Sequence, residues 1–241
     1  MGRTFENRKL AMMKRGDRDA KAFTRAGRQI SMAVKSGGAD PDGNPGLRRA
    51  IQNARAVNMP KDKIQGAIDK AAGLGDVDGY ETVFYEGYGP HGIAMMVETA
   101  TDNPTRTVAN LRFAFKKGSG NLGNSGSVAF MFDQLGVFRL DPEGLDRDEL
   151  ELELIDHGLE QLDDGINDDG DPVLILRCAR EDFGNLQSGL EAKKIAVASS
   201  GFEWVPKTTT ELSDEDTDEV LELIDRLEQD DDVQVVFHNL G

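Results

Sequence analysis

The period of the apolar residues first changes across one loop, GLGDVDG at 73–79, beyond which strand-like segments enter. Before the loop, apolar residues recur every three or four positions, as on one face of a helix. After it they alternate, or run in short blocks bounded by Gly, Pro, Asn and Asp, as strands do. Such a break dictates a helical unit followed by mixed α/β units. The 241 residues leave room for two or three domains, and 38% hydrophobic content supplies several small cores rather than one large one.

In the first unit, Arg18, Lys21, Arg25, Arg28 and Lys35 share one face of a helix running from Lys14 to Lys35, with Phe23, Ala26, Ile30, Ala33 and Val34 opposite. A second helix starts at Asn44 as N-cap with Pro45 in its first position, and carries Leu47, Ala50, Ile51 and Ala54. A third starts near Pro60, carries Ile64, Ala67, Ile68 and Ala71, and stops at Gly73.

Beyond the loop, Thr82–Tyr88 and Ile93–Thr99 read as strands, 104–117 as a helix ended by Gly118, and Ser127–Phe132 as a third strand. From Gly136 the order is strand, helix, strand, strand, helix, strand, the split βαβ or ferredoxin-like pattern, with DDGINDDGDP (163–172) as a turn. A last helix capped by Ser213 and a strand at Val233–His238 cannot form a domain alone, whereas the 82–132 unit has use for both. The expected fold class is therefore α+β. It comprises a helical domain at 1–78, an α/β domain from 79–133 plus 207–241, and a ferredoxin-like domain at 134–206 inserted in the second.

Net charge is −16, which argues at first against a nucleic-acid partner. Its distribution argues the other way. Residues 1–72 hold 16 Lys and Arg against 7 Asp and Glu, a net +9, and the remainder holds 12 against 37, a net −25. A basic head can find a polyanion while an acidic body limits indiscriminate sticking. The candidate phosphate contacts are Arg3, Arg8, Lys9, Lys14, Arg15, Arg18, Lys21, Arg25, Arg28 and Lys35, with Arg48, Arg49, Arg55, Lys61 and Lys63 as auxiliaries. The face bearing Arg18, Lys21, Arg25 and Arg28 is expected to point to solvent. The head's few aromatics, Phe5 and Phe23, make extensive base stacking there unexpected, and its apolar face is thin for a lipid surface.

The half-glycine stretch at 115–132 runs helix, glycines, strand. That is the reverse of a phosphate-binding loop, and it presents a helix C-terminus, whose partial charge repels phosphate. It reads as a turn that doubles as a candidate contact loop at Gly118, Gly120, Asn121, Gly123 and Asn124. Glu86 and Arg106 are placed to pair at the open end of the middle sheet. Cys178 alternates with Leu174 and Leu176, as a buried thiol would. The three histidines and single cysteine show no metal spacing, so no cofactor or metal is expected. No apolar run approaches ~18 residues, so no membrane span is expected, and nothing at the N-terminus reads as a secretory signal. A cytoplasmic setting is expected.

Four stretches carry a resemblance: GGADPDGNPGLRRAIQNARAVNMPKDKIQGAI, YEGYGPHGIAMMVETATDNPTRTV, GSGNLGNSGSVAFMF and DDVQVVFHN. In that order they resemble the YebC/PmpR family, which includes the mitochondrial translational activators of cytochrome oxidase. The N-terminal MGRTFENRKLAMMKRG departs from the family's usual opening but keeps its basic character. The resemblance implies three domains around a central cleft, no catalysis and no cofactor. It implies a DNA-binding transcriptional regulator or, alternatively, a ribosome-associated factor that relieves stalling at stretches such as consecutive prolines through ribosomal RNA. An enzyme using the inter-domain cleft would need a convergent acid–base pair, and none stands out in the sequence; an adaptor working through the acidic body is a third reading, separated from phosphate binding by salt dependence. No small-molecule substrate is expected.

Overall fold

The computed structural model describes residues 2–73, 79–167 and 170–241, with side chains from residue 19 onward. Helix α1 (Gly2–Gly37) is about 54 Å long at 1.5 Å per residue. It packs against α2 (Pro45–Ala56) and α3 (Lys61–Ala72). Their shared core is Ala26, Ile30, Val34, Leu47, Ala50, Ala54, Met59, Ile64 and Ile68. The alanines let the helix axes approach closely. Asn44 caps α2 as its sequence position predicts, accepting from the Leu47 N–H at 3.0 Å. Its amide also donates to Ala33 O at 2.7 Å and Gly38 O at 2.8 Å, tying the end of α1 to the start of α2.

The first sheet is formed by β1 (Glu81–Tyr88), β2 (Ala94–Thr101), β3 (Asn121–Leu122) and β8 (Val233–His238), in the antiparallel order β3-β1-β2-β8. Helices α4 (Pro104–Lys117) and α7 (Asp214–Glu228) cover one face, burying Leu111, Phe115, Val220, Leu223 and Leu227 against Ile93, Met95 and Val97. Strand β8 comes from the far end of the chain, as the inferred insertion requires.

One expectation fails here. Ser127–Phe132 is not the sheet's third strand. Ala129–Met131 form a single 3-10 turn, and Phe132 opens the next sheet. The run is apolar because Val128 and Phe132 fill the junction between the sheets with Ala94, Met96 and Trp204. Burial at a junction gives the same pattern as burial in a strand.

The second sheet contains β4 (Phe132–Leu140), β5 (Leu159–Ile166), β6 (Pro172–Ala179) and β7 (Val197–Pro206), ordered β5-β6-β4-β7. With α5 (Arg147–Ile155) and α6 (Phe183–Ala192) this is the ferredoxin-like arrangement. Strand β5 continues to Ile166, into residues expected to turn. It is an edge strand whose polar end is held by ion pairs, Asp163 to Arg177 and Asp164 to Arg147, so it needs no apolar alternation there. Cys178 is fully buried, and burial pushes its thiol up to about 11.

Candidate nucleic-acid interface

The side chains of Arg3, Arg8, Lys9, Lys14, Arg15 and Arg18 lie outside the described residues. The other sequence-predicted cations divide into two groups according to what they touch.

One group holds the molecule together, which corrects the expectation of a solvent-facing row on α1. Arg28 Nη1 donates to Asp232 Oδ1 at 2.9 Å and to Ala100 O at 2.8 Å, and its guanidinium lies 4.9 Å from the Tyr80 ring centre. Arg25 donates to the Glu228 carbonyl at 3.2 Å. Lys21 borders a shallow depression with Glu228, Asp230 and Asp231. The acidic turn after α7 therefore occupies the part of the α1 face that phosphates would need. The Arg49 guanidinium lies against the packed pair of rings Phe183 and Phe202, 5.3 and 5.6 Å from their centres, and burial lowers its pKa. Beside it, the Asn53 amide pairs with the backbone of Ser200 in both directions, at 2.8 and 2.9 Å, as a neighbouring strand would.

The second group faces solvent. Arg55, Lys61 and Lys63 are exposed, and Lys63 Nζ sits 4.9 Å over Phe23. Arg48 is exposed and steadied by the carbonyls of Pro41 and Asp42, both at 2.8 Å. Lys35 is exposed in the last turn of α1. Arg48, Arg49 and Arg55 line one side of a cavity of about 350 Å³ between α2 and α6, with Gln187 and Glu191 opposite.

Asp232 is the residue that sequence reasoning missed. Its buried carboxylate receives Arg28, Arg106 Nη2 at 2.7 Å, Thr107 Oγ1 at 2.7 Å and Thr101 Oγ1 at 3.2 Å. Burial alone would raise its pKa, but the donors from Arg106, Thr107 and Arg28 outweigh burial and hold it below the usual carboxylate value. Arg106 is therefore taken by Asp232, and by Asp102 at 2.7 Å, rather than by Glu86 as expected.

Glu86 turns to the glycine loop instead. It accepts from the backbone N–H groups of Gly126, Val128 and Ala129 at 2.6, 2.7 and 2.9 Å. Burial pushes its pKa up, and these amides pull it further down. The glycines are likewise explained from within. A Cβ on Gly118 would lie 2.8 Å from Leu223, one on Gly120 2.6 Å from the Tyr88 carbonyl, and one on Gly123 2.4 Å from Ser127 Oγ. Of the candidate contact residues, Asn121 and Asn124 face solvent, beside Ser119 at φ 57°. Among the described residues, no three His, Cys, Asp or Glu side chains converge as metal ligands, and no helix is long and apolar enough to cross a membrane.

Two family models cover the chain: the TACO1/YebC N-terminal domain over residues 3–74, and the TACO1/YebC second and third domain over 80–240. The chain belongs to the TACO1/YebC family. Relatives in this family include proteins of Anaeromyxobacter dehalogenans and Myxococcus xanthus, each 58% identical over the full length of both chains, and one of Flavobacterium johnsoniae, 48% identical over 100% of this chain and 99% of its own. All three are named probable transcriptional regulatory proteins, which are names of regulatory factors and not of enzymes. The crystal structure of a conserved hypothetical protein of Aquifex aeolicus superposes with a TM-score of 0.80 at 34% identity, over 92% of this chain and 90% of that one.

Proposed function

We propose that this TACO1/YebC chain is a cytoplasmic nucleic-acid-binding regulatory factor. Its working parts would be a basic head at 1–78, a platform at 79–133 plus 207–241, and the inserted unit at 134–206. The observation that carries this reading is the division of the head's cations. Arg25, Arg28 and Arg49 are engaged by the body, while Arg48, Arg55, Lys61 and Lys63 are left on the solvent face of α2 and α3, available to phosphates. The relatives' names favour DNA as the polyanion and transcription as the process. The resemblance to mitochondrial translational activators favours ribosomal RNA. Phosphate contacts position a protein without reading sequence, so the charge pattern serves either target.

Co-sedimentation with ribosomes at near-physiological salt, with excess duplex DNA in the same tube, tests the reading and separates the targets. Retention on ribosomes identifies the translational target, and stripping by DNA identifies the transcriptional one. A chain that associates with neither refutes the proposal.

A further inference from the structure

Helix α4 lies in the acidic body, yet it carries Arg106, Arg112, Lys116 and Lys117 and no acid. These are four of the 12 basic residues in 73–241, so one 14-residue helix holds a third of the body's positive charge. Most of the others are engaged: Arg139, Arg147, Arg177, Lys193 and Lys207 sit in ion pairs, and Arg180 lies 5.1 Å from the Phe202 ring. On α4, Arg106 is held by Asp232, while Arg112, Lys116 and Lys117 are exposed and in no ion pair among the described residues.

Positions 109, 112, 113, 116 and 117 follow the i, i+3, i+4, i+7, i+8 spacing of one helical face. At its centre stands Phe113, 62% exposed, although its neighbours Leu111 and Phe115 are fully buried. Lys117 Nζ lies 5.6 Å from the Phe113 ring centre. Cations in the last turn offset the helix dipole, which accounts for Lys116 and Lys117. It does not account for Arg112, a turn earlier, nor for a phenylalanine turned to water. The face runs into the uncharged tip of the glycine loop, where Asn121 and Asn124 are exposed. At its other end the Asn110 amide holds Asp230 at 2.8 Å, so carboxylate bounds the surface on that side.

We propose that the outer face of α4 is a second nucleic-acid contact, specific for a single-stranded segment. Phe113 is the platform on which one base stacks, and Arg112, Lys116 and Lys117 hold the flanking phosphates. An aromatic ring set among cations is the arrangement that single strands use, because every base has a π-face to offer, whereas a duplex keeps its base faces stacked inside. The head supplies sequence-independent phosphate affinity, and α4 adds the preference for unpaired strand. This inference rests on the nucleic-acid reading above.

The test uses the intact chain and a fluorescent 15-nucleotide oligouridylate, with a duplex of equal length as reference. Phe113→Ala is expected to weaken oligouridylate binding roughly 5- to 150-fold, the range given by one stacked base, with the salt slope unchanged. Arg112→Ala with Lys116→Ala and Lys117→Ala is expected to lower that slope by roughly 2, at ~0.7 per phosphate contact on a single strand. Duplex binding should change little with Phe113→Ala. The substituted side chains are exposed, so unchanged circular dichroism is expected, and Phe113→Leu serves as a second variant that keeps apolar bulk without the ring. Phe113→Ala or Phe113→Leu binding oligouridylate as tightly as wild type would overturn the proposal while leaving the head's role standing. A wild-type chain that binds neither probe at ~50 mM salt would remove both readings together.

Discussion

Asp232→Ala should release the helical head from the body. In the native chain this carboxylate, 3% exposed, receives Arg28 from α1, with Arg106, Thr101 and Thr107 from the platform. Removing it leaves the Arg28 guanidinium, itself only 13% exposed, with one carbonyl and one aromatic ring. Breaking one partner of a buried pair costs about 3–5 kcal/mol, because the surviving charge is left without compensation. Arg106 is nearly half exposed and keeps Asp102, so its share of that loss is small. Further support for the head comes from its small-residue core, the α2 contacts and the half-buried Arg25 on the Glu228 carbonyl, so a loss of that size is a large part of a typical domain's ~5–15 kcal/mol. Urea unfolding followed by far-ultraviolet circular dichroism should show the head melting in its own early transition. Fluorescence of Trp204, in β7, should keep a midpoint near that of wild type. Arg28→Ala should give a smaller loss, since it removes the charge that would otherwise be stranded. The pH dependence has a definite sign. Asp232 titrates below its unfolded value, so its contribution is complete above a pH of about 4 and is lost as pH falls through the folded pKa. A single unfolding transition shifted by less than about 1 kcal/mol would refute the claim that Asp232 clamps the head.

Glu98 gives the opposite pH signature. Burial, then the neighbouring Glu203, pushes its carboxyl up to about 7, so between that value and the unfolded one the native state keeps a proton the unfolded chain has lost. Stability should therefore fall as pH rises across that window, and Glu98→Gln should recover about 2 kcal/mol at pH ~8 and little at pH ~5, read by thermal melts. Arg49→Ala should cost about 1–2 kcal/mol through lost ring contacts while leaving the salt dependence of polyanion binding unchanged, since its guanidinium is wedged against Phe183 and Phe202. Gly120→Ala should cost about 1–3 kcal/mol in chemical denaturation, because its Cβ would collide with the Tyr88 carbonyl, which cannot swing aside.

The features legible in the sequence are those whose causes are local. Asn44 followed by Pro45 announces the start of α2, and the strand and helix periods of 136–205 announce the ferredoxin-like order. The insertion was legible by elimination, because α7 and β8 had nothing else to complete. The fates of Arg25 and Arg28 were not legible. Helical spacing says only which residues share a face, and the partner of Arg28 stands 204 positions away. The signal is the acidic run EQDDD at 228–232, whose spacing does not say that it faces α1. Glu86 and Arg106 were rightly picked out as anchored charges but wrongly paired, because backbone amides and a distant aspartate leave no mark at the spacing of the two. Phe113 hid inside a helix whose other aromatic, Phe115, fits the core, and only exposure tells the two apart.

The most direct test of the account is the salt dependence of polyanion affinity for the intact chain, wild type against Arg55→Ala/Lys61→Ala/Lys63→Ala. These three side chains are exposed and carry no ion pair among the described residues, so the fold should survive their loss. The account predicts that wild-type affinity for a DNA duplex falls steeply between ~50 and ~200 mM salt, and that the triple variant binds more weakly with a slope shallower by roughly 2 to 3. An affinity indifferent to salt, or a variant whose slope and affinity match wild type, would contradict it.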